Sequence, residues 1–355
     1  MSFFKRKIPQ LFWNQLRNVS STRTTKHVLK ISDLSQKELR DVLTFATVIK
    51  KNPKDYATSL KDKTLLMLFE KPSLRTRVSF ETGMTQMGGH GIFYSIADSP
   101  LGQKETFGDT GQVLSRYCDV VMARVKNRRD VRELAKHSTI PVINALDDWA
   151  HPCQMLADLL TIAEYKGGVD KLSQIRMCYL GDCHNNVTYD LMRSACVLGF
   201  HLNVCGPVNA GNGKEHNVDD EVLEECKDIC KQYHKSTDLN KWLTITDKPE
   251  VALRDNIDVI YTDSWMSYGV DPKDKEKRMR TFMPYQVDTP KLKMAKPNCI
   301  FMNCLPAIRG MEQAADVIDG PQSVVFDQAE NRLHGQKALL FYLVHGHMDV
   351  KRLSK

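Results

Sequence analysis

Short apolar runs bounded by Gly, Asp and Pro recur along the 355 residues, with helical patterns between them. The first half holds Leu65–Phe69, Ile92–Tyr94, Val120–Ala123 and Pro141–Ala145. The second holds Met177–Leu180, Leu202–Cys205, Val259–Thr262, Ile300–Met302 and Val324–Phe326. Runs this short, apolar at successive rather than alternate positions, predict parallel strands buried on both faces. Gln154–Glu164 and Tyr189–Leu198 carry helical patterns. Two such sets predict an α/β chain of two domains, each a parallel sheet with flanking helices, joined by long interdomain helices. The bridge is expected at Gln154–Tyr165, which runs into Lys166-Gly167-Gly168. A last helix is expected at Arg332–His347, and pattern alone leaves open which domain it packs on. The polar stretches 209–220 and 268–284 read as surface loops or lids.

Composition narrows the class. A length of 355 residues suits two domains. With 42% hydrophobic and 26% charged residues the chain can bury cores, which argues against disorder or a disulfide-stapled scaffold. No apolar run reaches the ~18–20 residues that span a bilayer, so no membrane partner is expected. The formal net charge is +7, and residues 1–26 hold six basic side chains and no acidic one. The nearly neutral remainder gives no broad nucleic-acid footprint. Residues 1–26 are rich in Ser and Thr and lack the apolar stretch of a secretory signal. They read as a mitochondrial transit peptide, with a solvated basic tail (and a cytoplasmic protein) as the alternative. Ten cysteines are scattered with no C-x-x-C pair, so reduced thiols and no metal site are expected.

Polar residues cluster just after the expected strands, where parallel sheets bind ligands. In Phe69-Glu70-Lys71-Pro72-Ser73-Leu74-Arg75-Thr76-Arg77 a strand gives way to a helix start. Its unpaired N–H groups, the Ser73 and Thr76 hydroxyls and the Arg75 fork suit a phosphate. The competing reading is an ordinary capped helix with solvated arginines. His151 and Gln154 open a long helix and can share one face there, either as packing residues or as hydrogen-bond partners of a carbonyl. Gly181-Asp182-Cys183-His184-Asn185-Asn186 lacks the glycines of a dinucleotide turn. Its asparagines suit a carboxylate or a helix cap. Asp263 and Ser267 suit an ammonium-bearing substrate or a turn. Cys304 lacks an adjacent His, which favours a contacting thiol over a nucleophile.

Taken in order, Ser73–Arg77, Met122–Arg124, His151–Gln154, Gly181–Asn186, Asp263–Ser267, Cys304–Ala307 and Glu330–Arg332 resemble the aspartate/ornithine carbamoyltransferase family, in its ornithine branch. The resemblance covers roughly residues 27–350. It implies a carbamoyl phosphate-binding domain over 27–165, completed by a C-terminal helix over 332–350, and an ornithine-binding domain over 166–331. It implies that Ser73, Leu74 (through its backbone), Arg75 and Thr76 hold phosphate. Arg124, His151, Gln154, Cys304, Leu305 and Arg332 would surround the carbamoyl group, with Arg124, His151, Cys304 and Arg332 catalytic. Asn186, Asp263, Ser267 and Tyr268 would hold ornithine. A homotrimer in the mitochondrial matrix, making citrulline without metal or organic cofactor, completes the expectation. Three positions depart from the family pattern: Asn303 for His, Tyr268 for Met, and Pro100 where a donor is usual. They motivate two alternatives, a carbamoyltransferase for another amine such as putrescine and a catalytically weak regulatory paralogue.

Overall fold

The computed structural model describes residues 25–98, 101, 104–208, 216–254, 256–266 and 270–346. Helix α1 (Gln36–Lys51) precedes β1 (Thr64–Phe69), α2 (Leu74–Gln86), β2 (His90–Ser95), α3 (Phe107–Leu114), β3 (Val120–Arg124), α4 (Arg128–His137) and β4 (Val142–Leu146). The long helix α5 (Pro152–Tyr165) leads into β5 (Arg176–Leu180), α6 (Asn186–Leu198), β6 (His201–Cys205), α7 (Asp220–His234) and β7 (Leu243–Thr246). Then follow β8 (Val259–Thr262), α8 (Lys275–Phe282), β9 (Ile300–Asn303) and α9 (Val325–His345), with several single-turn helices between.

Two sheets form, ordered β2-β1-β3-β4 and β7-β6-β5-β8-β9, and every pairing is parallel. The chain steps outward from β1 to β2 and returns to β3 on the other side. In the second sheet it steps from β5 through β6 and β7 and returns to β8. Each sheet therefore has a switch point, beside β1 and beside β5, where the loops leaving the strand ends splay apart and leave a crevice. One core runs through both units by way of α5 and α9, with Met67, Met122, Leu156, Tyr179 and Leu339 all at 0% exposure.

The apolar runs became strands with one exception. Val324–Phe326 is not a strand. Ser323 makes a single bridge to Phe301, Val324 caps α9, and helix follows from Val325. The last helix thus begins at Val325 rather than at Arg332, because Gln328, Ala329 and Glu330 favour helix and the segment packs along α5. Strand β7 went unread because only Leu243 of its four residues is buried. Strand β2 is an exposed edge, against the expectation of burial on both faces. Helix α9 lies along α5, α1 and α2, so the end of the chain packs on the first unit. The Lys337 ammonium donates to Gln86 Oε1 at 2.9 Å and Tyr342 OH to Glu38, pinning it there. No helix among the described residues is long and apolar enough to cross a membrane.

Candidate active site

The carboxyl ends of both sheets open on one cleft of about 980 Å³. Three long helices begin at its wall. Ser73 caps α2, its Oγ accepting from Thr76 N at 3.4 Å. His151 is the residue before α5, with Pro152 at the first helical position. Asn185 caps α6, its Oδ1 accepting from Thr188 N at 2.8 Å. Unpaired N–H groups and aligned peptide dipoles make each of these ends electropositive.

Cations reinforce one side. Arg75, Arg124 and Arg332 all line the cleft. Arg332, 3% exposed on α9, reaches back across the first unit. Its Nη1 donates to Gln154 Oε1 at 2.9 Å and its Nη2 to Thr76 Oγ1 at 2.9 Å. Arg75 Nη2 donates to the Leu305 carbonyl at 2.6 Å. Leu305 holds a φ of 55°, in the left-handed region that costs a branched residue energy, and so turns its carbonyl against the first unit. The His151 imidazole stays neutral, since burial lowers its pKa well below the ordinary value and Arg332, Arg124 and Arg75 lower it further.

The opposite side is acidic. Asp263, just beyond β8, accepts from the Cys304 thiol at 2.9 Å and from Ser264 N at 2.7 Å. Burial raises the Asp263 carboxyl pKa, against the pull of the Cys304 hydrogen bond. Burial and then Asp263 raise Cys304 well above its ordinary value. Cys304 is therefore a donor thiol and not a thiolate. Asp182 also lines the cleft and pairs with Arg278.

Of the residues singled out in the sequence, Ser73, Arg75, Thr76, Arg124, His151 and Gln154 meet in this cleft with Asn186, Asp263, Cys304, Leu305 and Arg332. Asn186 Nδ2 donates to the Asp147 carbonyl at 2.6 Å, so the cap of α6 is Asn185 and not Asn186. The Leu74 side chain is 75% exposed and outside the cleft wall. Ser267, Tyr268 and Pro100 lie outside the described residues, as does most of the basic N-terminal segment. Asn303 turns away from the cleft. Its Nδ2 donates to Gln313 Oε1 at 3.0 Å and its Oδ1 accepts from Leu305 N at 2.8 Å. Lys126, Asp147 and Asp148 line the cleft without having been singled out, although all three follow strand ends, and Lys71 of the first motif joins them.

Behind the cleft sits a carboxylate that the sequence reading passed over. Asp158, four residues after Gln154 on α5, is 0% exposed. It accepts from Gln154 Nε2 at 2.8 Å, Gln328 Nε2 at 2.6 Å and Tyr261 OH at 3.1 Å. The Gln154 amide is thereby fixed, with its nitrogen to Asp158 and its oxygen to Arg332. Burial pushes the Asp158 carboxyl up to about 7. A raised folded-state pKa means that the unfolded chain ionises first, so stability falls as pH rises from the ordinary carboxylate range to about 7. Asp158→Asn keeps the two amide contacts, and its new NH2 can donate to Tyr261. Its melting temperature is expected to match wild type near pH 4 and to exceed it by pH 8. Thermal melts across that range check this, and a difference independent of pH sinks it.

Comparison with known proteins adds an independent line. Residues 26–164 match the family profile "Aspartate/ornithine carbamoyltransferase, carbamoyl-P binding domain" and residues 173–343 match "Aspartate/ornithine carbamoyltransferase, Asp/Orn binding domain". An ornithine carbamoyltransferase from Methanobrevibacter smithii is 43% identical over 318 residues, covering 90% of this chain and 99% of that protein. One from Oceanobacillus iheyensis is 46% identical over 318 residues, covering 89% and 93%. Among solved structures, the ornithine carbamoyltransferase of Pyrococcus furiosus superposes with a TM-score of 0.81 at 41% identity, covering 91% of this chain and 98% of that one.

Proposed function

This chain belongs to the aspartate/ornithine carbamoyltransferase family, and from that premise we propose that it transfers the carbamoyl group of carbamoyl phosphate to the δ-amine of L-ornithine. The products are L-citrulline and phosphate. The observation that carries this reading is the polarity of the cleft: three arginines and the α2 and α5 helix ends on one side, Asp263 on the other. A phosphorylated carbonyl suits the first and an ammonium-bearing substrate the second.

In this reading the first unit with α9 is the carbamoyl phosphate domain and the second unit is the ornithine domain. Ser73, Arg75, Thr76 and the Leu74 N–H hold phosphate. Arg124, His151, Gln154 and Arg332 surround the carbamoyl group, with the Leu305 carbonyl and Cys304 at its far edge. Asn186, Asp263, Ser267 and Tyr268 take the amino acid. The δ-ammonium gives one proton to solvent, and the nitrogen then attacks the carbamoyl carbon, its second proton leaving with the phosphate. Charge grows on the carbamoyl oxygen, where Arg124, Arg332 and the neutral His151 can donate hydrogen bonds. The bond from carbon to the phosphate oxygen breaks, and the phosphate departs into the arginine-lined seat. Holding two substrates in line supplies much of the remaining rate.

Purified protein given both substrates is expected to form citrulline. Absence of product above an Arg75→Ala control rejects the reading. Turnover of putrescine in place of ornithine would reassign the amine. The weak-paralogue reading draws little support from Asn303, whose amide is engaged within its own loop. We also propose a homotrimer. It is supported by the exposed edge strand β2, where Ile92, Phe93 and Tyr94 are 37–40% exposed. Light scattering at three chain masses checks it. The acid-free, Arg/Lys-bearing segment 1–26 supports import into mitochondria, tested by cleavage of the precursor on incubation with the isolated organelle.

A further inference from the structure

Helix α6 is buried from Val187 to Leu198, and within it sit Asp190 and Arg193, both at 0% exposure. Taking a carboxylate and a guanidinium out of water is costly for each ion, and an apolar pair of similar volume commonly packs as stably. Bulk stability is thus a poor explanation for this pair. Its contacts suggest another.

Asp190 Oδ1 accepts from Arg193 Nη1 at 2.9 Å, and its Oδ2 accepts from the backbone N–H of His151 at 2.8 Å. Arg193 Nη1 also donates to the Trp149 carbonyl at 3.1 Å, and its Nε donates to Glu225 Oε2 at 2.7 Å. Lys30 anchors the other oxygen of Glu225 at 2.9 Å. One helix of the second unit therefore grips the turn Trp149–Ala150–His151 of the first unit at both ends, by a carbonyl and by an N–H. His151 is the last non-helical residue before α5, with φ −142° and ψ 65°, so the direction of its ring follows from how that turn is held.

We infer that Asp190, oriented by Arg193, is a positioning residue for His151, fixing the imidazole that faces the carbamoyl group from across the boundary between units. The inference rests on the carbamoyl-transfer reading. The essential element is a hydrogen-bond acceptor for the His151 N–H, and the ion pair serves to aim it.

Two charge-free double variants separate positioning from bracing. Both D190N/R193M and D190L/R193M delete the ion pair, but only the first keeps a carbonyl oxygen at position 190. Thermal melts establish the temperature range in which each is folded, and kcat and KM for both substrates are measured there. D190N/R193M is expected to keep most of kcat. D190L/R193M is expected to lose kcat by about 10–10²-fold, with KM for ornithine little changed, the size of loss that a small misplacement near the reacting atoms produces. Equal kcat in the two folded variants overturns the inference while leaving carbamoyl transfer intact. A wild type without turnover overturns the reading and the inference with it. If D190L/R193M does not fold, D190N/R193M decides alone: kept kcat supports the inference, and a tenfold loss in the folded variant overturns it.

Discussion

Replacing Arg332 with methionine is expected to cut kcat/KM by about 10²–10³-fold, while the ligand-free protein melts within a few degrees of wild type. The first part follows from geometry. Arg332 is buried, its fork is held by Gln154 and Thr76, and it lines the cleft beside Arg124 and His151. A preorganised donor to a growing oxyanion is worth about 2.7–4 kcal/mol in comparable sites. The second part follows from charge. Burial and the neighbouring Arg75 disfavour the charged form of Arg332, and Gln154 and Thr76, which accept from its fork, are neutral. The substitution removes a desolvated cation from a cationic site, a relief set against about 1–3 kcal/mol for each buried acceptor left without a donor. The cleft is thus a place where activity is bought with stability. Added carbamoyl phosphate should raise the wild-type melting point, by the equivalent of about 2.7 kcal/mol at a hundred times its dissociation constant, and should raise the variant's far less. Turnover within tenfold of wild type would remove Arg332 from the chemistry.

Asp263→Asn tests the other pole. Its kcat/KM for ornithine is expected to fall about 10²–10³-fold, whereas stabilisation by carbamoyl phosphate persists. Asparagine matches the size of the carboxylate and keeps one acceptor oxygen, so the loss isolates the charge. Truncating one side of a buried charge pair costs about 2–5 kcal/mol. Because burial raises the Asp263 pKa, the acid limb of the pH profile for ornithine should lie above the ordinary carboxylate range and vanish in the variant. Equal loss of carbamoyl phosphate binding would show that the two sides of the cleft are not separate subsites.

Much of this was legible in the chain because parallel strands advertise themselves. Leu65–Phe69 and Met177–Leu180 are unbroken apolar runs, and the loops after them lead to Ser73 and to Asn186 at the start of α6. Strand β7, Leu-Thr-Ile-Thr, escaped because a half-exposed edge strand needs no such run. Val324–Phe326 misled because two valines and a phenylalanine favour a strand locally, while the helix they begin is decided by packing on α5. Asp158 could have been found, since a carboxylate in the stretch Met155–Ala163, apolar but for Thr161, must have partners. Asp190 and Arg193 show the same signature in α6, but their partners come from residues about forty positions earlier and thirty later. No local pattern records such a contact.

The return of α9 to the first unit has a consequence for how the protein is born. The ribosome delivers the first sheet early, yet the groove on α1, α2 and α5 stays bare until the closing stretch of the message is read. The distal half can complete itself before the proximal half does. Arg332 arrives with that late helix, so a nascent chain holds an unfinished phosphate seat. A stop codon anywhere ahead of Val325 would therefore injure the amino-terminal half as well, leaving an uncovered apolar furrow for chaperones to hold or proteases to find.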